Sequence, residues 1–175
     1  MSEINYTQWA GIMGAGIAML ACMLSIWRFR SSRQTWSILS LFYLLFLLEI
    51  LRGYRHDVHD LFENNVLPHL SLYAEKQTVQ IILIIIATCL ASLIAGWLIS
   101  RIRSRPATEQ IAIFTSLMIF LLTVIEAIGW NLIDAILYKF IGPIMFIGWL
   151  WIIGCMITTS AAFLSNRSSS SHDDK

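Results

Sequence analysis

Glu49 and Arg52 stand three positions apart at the end of an apolar run, Trp36 to Leu51 (WSILSLFYLLFLLEIL). A charge placed in hydrocarbon costs several kcal/mol, so it is normally paired, held between helices or exposed to a cavity. On a helix, this spacing puts a carboxylate and a guanidinium on one face. At 1.5 Å per residue, Glu49 lies roughly 20 Å from Trp36, in the far third of a bilayer core. Arg52 can extend from there toward water. The pair reads either as an ion pair at a helix interface or as the lining of an ion path or switch.

Glu126 is a second acid within an apolar run, and Asp134 follows eight residues later. Two carboxylates at one depth, Glu49 and Glu126, could share a proton or a cation, or one could pair with Arg52. Between them in the chain lies His56-Asp57-Val58-His59-Asp60. Glu49, Arg52, His56, His59 and Glu63 recur at helical spacing and form one polar stripe. His56, His59 and Asp60 are weak metal candidates, with His69 as a third-ligand option, because a closed site needs three or four ligands. A haem held between helices would need histidines inside spans, and every His here lies at or beyond a span edge. No cofactor is therefore expected. The histidines would titrate near neutral pH, which suits a solvated cap or a sensor.

These residues need a scaffold, and the composition says which. The chain has 175 residues, 57 % apolar and 13 % charged, with a formal net charge of +1. Soluble domains carry roughly 25 % charged residues, so this balance belongs to a bundle dissolved in lipid. The charge gives no footprint for nucleic acid. Five apolar runs reach spanning length: 8–27, 36–54, 79–100, 110–130 and 141–164, the fourth continuing as helix to about Tyr138. The expected fold is an all-α membrane bundle of about five transmembrane helices, since lipid leaves backbone groups to be satisfied within each segment. Residues 1–164 form one domain, with a loop at about 55–77 and a polar, disordered tail at 165–175.

Arg28, Arg30 and Arg33 follow the first span, and Arg101, Arg103 and Arg105 follow the third. With Arg167 and Lys175, eight of the twelve Lys and Arg residues fall on one side. The positive-inside rule makes that side cytoplasmic, with the N-terminus outside, in a cell (inner) membrane. Trp9, Trp27, Trp36, Trp97 and Trp130 fall near span ends, as an aromatic belt would.

Arg28-Phe-Arg-Ser31 resembles Arg101-Ile-Arg-Ser104, and the pair Glu49/Asp57 resembles Glu126/Asp134 in spacing. This pattern reads as a duplicated helical hairpin plus a fifth helix; chance similarity of apolar segments is the competing reading. Gly14, Ala18 and Cys22, and Ala87, Ala91 and Ala95, make small-residue stripes for close helix packing or homo-oligomer contacts. Cys22, Cys89 and Cys155 each lie within an apolar run and read as packing residues.

No nucleophile elbow, phosphate loop or metalloprotease helix occurs, so no catalytic residue is assigned and the chain is not expected to be an enzyme. The expected function is a sensing or signalling subunit of a membrane complex, of the envelope-sensing, immunity or phage-defence (antiviral) type. Its partners would be the bilayer, further copies of itself or a cytoplasmic protein. The alternatives are a small ion or proton channel or transporter using Glu49, Arg52 and Glu126, and an accessory subunit of a metal or redox enzyme.

Overall fold

A computed structural model describes residues 5–28, 32–53, 73–103, 105–128 and 131–170. The chain is an all-α membrane bundle. Its helices are α1 (Tyr6–Arg28), α2 (Arg33–Arg52), α3 (Tyr73–Ile102), α4 (Ala107–Ile128), α5 (Asn131–Leu137) and α6 (Phe146–Ser170). All but the short α5 are long and apolar enough to cross a membrane. Between α5 and α6 lie two short strands, β1 (Phe140–Ile141) and β2 (Ile144–Met145), paired antiparallel.

On α2, Trp36, Leu39, Tyr43, Phe46 and Ile50 are buried. They recur at spacings of three and four, the period that makes one inward stripe. The opposite face of α2 exposes Leu41, Leu44, Leu45 and Leu48. A water-soluble helix would be polar there; exposed leucines suit lipid. Gly53 closes α2 at φ 70°, and its N–H bonds the Glu49 carbonyl at 2.7 Å. That left-handed position is open to glycine without steric cost.

α1 packs on α2, α3 packs on α4, and α6 packs against both α1 and α4. Each of these pairs is of helices consecutive in the described chain, and α6 touches one helix of each pair. Small residues allow the close approach. A Cβ on Gly14 would meet the Cys155 Cβ at 3.4 Å, and one on Gly154 would meet Ile119 Cδ1 at 2.7 Å. The Gly14–Ala18–Cys22 stripe therefore serves packing inside the chain. Cys22 and Cys155 are buried and free, as packing residues, whereas Cys89 is exposed on α3. The Phe46 ring stands edge-on to Trp151, with centroids 5.8 Å apart.

α3 is the outlier. Only 11 % of its apolar window is buried, against 44 % for α6. Ala91 and Gln80 are its buried residues among those described. Among the described residues, it packs mainly along α4.

Several boundaries differ from the sequence reading. The fifth span begins at Phe146, not Ile141, because Phe140 to Met145 form a hairpin. Gly142 takes φ 69° at the first central turn position, ahead of Pro143, which suits a two-residue hairpin. α6 runs to Ser170, past the expected end at Leu164, and Ser165 is buried. Helix is described to Ile128 and again over Asn131–Leu137, close to the expected end at Tyr138, with residues 129–130 outside the described ones. Trp36 is fully buried in the core and is no belt residue, while Trp9, Trp27 and Trp97 are exposed as a belt requires.

Candidate functional site

Among the described residues, a connected polar site lies where α2 and α4 both begin. Glu109, in the first turn of α4, is fully buried. Ser32, at the N-cap of α2, donates its hydroxyl to Glu109 Oε1. Arg105 Nη1 stands 3.5 Å from Glu109 Oε2 and 3.5 Å from Thr35 Oγ1. Gln110 Nε2 donates to the Arg105 carbonyl at 2.9 Å and reaches the Arg103 carbonyl at 3.5 Å.

Local sequence accounts for the arrangement. Pro106 precedes α4, and its carbonyl accepts the Glu109 and Gln110 N–H groups. Glu109 thus occupies a first-turn position, where the helix dipole favours a carboxylate. Arg105 is four residues before Glu109, the spacing at which an acid and a base meet. The Ser32 side chain makes no hydrogen bond to the N-terminus of its own helix. Its hydroxyl is given to Glu109 instead. A buried carboxylate with one partner removed costs several kcal/mol, so the hydroxyl and the guanidinium act as one unit. The result is a latch that ties the short α3–α4 connection to the start of α2.

Two further polar groups sit deeper. Tyr43 Oη lies 2.7 Å from Thr158 Oγ1 and accepts from Ser116 Oγ at 3.3 Å, joining α2, α6 and α4. The single Ser116 hydroxyl hydrogen is shared between Tyr43 and the Ala112 carbonyl, which lies closer at 2.8 Å. Near the far end, Tyr138 donates to Glu126 Oε1 at 2.8 Å. There too, the Met145 N–H donates to Thr7 Oγ1 at 3.0 Å, pinning the hairpin to α1.

The structure distributes the sequence candidates unevenly. Glu49 is half-buried and Arg52 exposed at the end of α2. Glu126 is buried and accepts a hydrogen bond from Tyr138. Asp134 is half-buried on α5. His56, Asp57, His59 and Asp60 lie outside the described residues, as do Glu63, His69 and Arg30. Of the arginines, Arg28, Arg33, Arg101 and Arg103 are exposed. The Arg101 guanidinium covers the Trp97 ring at 5.2 Å, an interfacial pairing. Among the described arginines, Arg105 alone enters the latch. Among the described residues, no three His, Cys, Asp or Glu side chains gather as metal ligands.

Sequence reasoning missed Ser32, Thr35 and Glu109. Glu109 fell just outside the apolar run as drawn from Gln110. The Arg105-Pro106-x-x-Glu109 spacing was the available signal, as an ion pair across a helix start.

No family model matches the chain, and no curated protein or solved structure is significantly similar to it.

Proposed function

We propose that this chain is a non-enzymatic signalling subunit of a cell membrane, with its N-terminus outside and its C-terminus cytoplasmic. The supporting observation is mechanical. α3 is the least buried spanning helix, and the connection that follows it is fastened to α2 by the Arg105–Glu109–Ser32 latch. The segment 54–72, with its histidines and acids, leads directly into α3. An event at that segment would shift a loosely packed helix, and the shift would arrive at the latch on the arginine-rich side. A cytoplasmic partner would read the change there. Settings such as envelope sensing, toxin immunity or phage exclusion fit this build by architecture alone.

The test is affinity purification through a C-terminal tag after in-cell cross-linking. A defined soluble partner should be recovered with the intact protein and reduced when Glu109→Gln opens the latch. Ion flux through liposomes that depends on Glu49 and Glu126, with no partner recovered, would instead establish the channel alternative.

A further inference from the structure

Beside the latch, an apolar groove of about 330 Å3 opens between α2 and α4. Ile38, Leu39 and Phe42 form one wall, and Ile113, Leu117 and Phe120 the other. Gln34, Thr35 and Arg105 also line it, at the end where both helices begin. From Ile113 to Phe120 the groove follows about 10 Å of helix, within the half of the bilayer next to the arginines.

We propose that this groove seats an acyl chain of an anionic glycerophospholipid, whose phosphate meets Arg105 and Gln34. Charge complementarity selects the occupant. Arg105 remains 34 % exposed while it holds Glu109, and Glu109 itself is fully buried and does not line the groove. Exposed Arg33 and Arg103 flank the same end. The first turn of α2 carries no acid, so its positive dipole end is uncompensated by its own side chains. Apolar walls beneath a cationic mouth match an amphiphile with an anionic head. Basic residues near the membrane surface each contribute about 1 kcal/mol toward anionic lipid, roughly a five-fold preference per residue. The inference is independent of the signalling reading, because it needs a fixed groove and no movement of α3.

The experiment is native mass spectrometry of the detergent-purified full chain with added phosphatidylglycerol, phosphatidylcholine or inorganic phosphate. Phosphatidylglycerol should give a one-to-one adduct at least about five-fold tighter than phosphatidylcholine, and phosphate alone should give none. Leu117→Trp and Ile38→Trp fill the groove from opposite walls without touching Arg105. Each should lose the adduct while keeping the wild-type melting profile in detergent. If one variant misfolds, the other decides. Equal binding of the two lipids, an adduct with phosphate alone, or an adduct retained by a folded groove-filling variant would each overturn the proposal.

Discussion

Ser32 and Glu109, 77 residues apart in the chain, share a buried hydrogen bond that joins the starts of α2 and α4. Glu109 has no exposed surface, so its carboxylate depends on Ser32 and Arg105 for what water would otherwise supply. Glu109→Ala should therefore lower stability by about 1–3 kcal/mol, since it leaves their polar groups without that partner. Glu109→Gln keeps the volume and one acceptor oxygen and should lose less. Thermal unfolding in detergent checks both; a Glu109→Ala protein as stable as wild type would remove the latch as a structural element.

A second network offers a cleaner separation of terms. Tyr43→Phe removes the hydroxyl that meets both Thr158 and Ser116. Hydrogen bonds between membrane helices average about 0.6 kcal/mol, and an orphaned partner adds to the loss. Tyr43→Phe combined with Thr158→Val removes both ends of the shorter contact and should lose less than the sum of the single changes. Strict additivity in that cycle would show that the two hydroxyls do not interact.

Packing makes a contrast between two glycines. A Cβ on Gly154 would press on Ile119 at 2.7 Å and 2.9 Å, whereas one on Gly96 meets nothing within 4 Å. Gly154→Val should force α4 and α6 apart and lower stability by about 1–3 kcal/mol. Gly96→Val should stay within about 0.5 kcal/mol of wild type. Equal losses would mean that α3 has a packed partner at Gly96.

If the chain signals as proposed, changing the histidines before α3 should alter function without lowering abundance. His56→Ala/His59→Ala is expected to insert and accumulate normally but to lose recovery of the cytoplasmic partner. Membrane abundance measured against co-purification in the double variant decides it. Partner recovery at the wild-type level would make this cluster a solvated cap.

The bundle itself was legible in the sequence because lipid imposes length and composition on every span. The five long helices fall where apolar runs of spanning length do. What was not legible were features set by partners distant in sequence. Trp36 sits at a span edge, where belt residues sit, but α2 turns it into the core. The Gly142-Pro143 pair carried a turn signal that the surrounding apolar residues masked. Glu109 lay at the edge of an apolar run, and only tertiary structure shows that Ser32 comes to meet it. The charges that stood out, Glu49 and Arg52, stood out because of apolar neighbours on their own helix. The latch residues sit among polar ones and carry no such contrast.

The latch should restrain α3. Cys89 is exposed on α3, and Phe114 is exposed on α4, while Cys22 and Cys155 are buried and shielded from labelling. Spin labels on Cys89 and on a Phe114→Cys substitution, in lipid nanodiscs, report the α3–α4 separation by pulsed electron resonance. The expected result is one narrow distance distribution in the otherwise native chain and a broadened or second, longer distribution when Glu109→Gln is added. A narrow distribution unchanged by Glu109→Gln would contradict the claim.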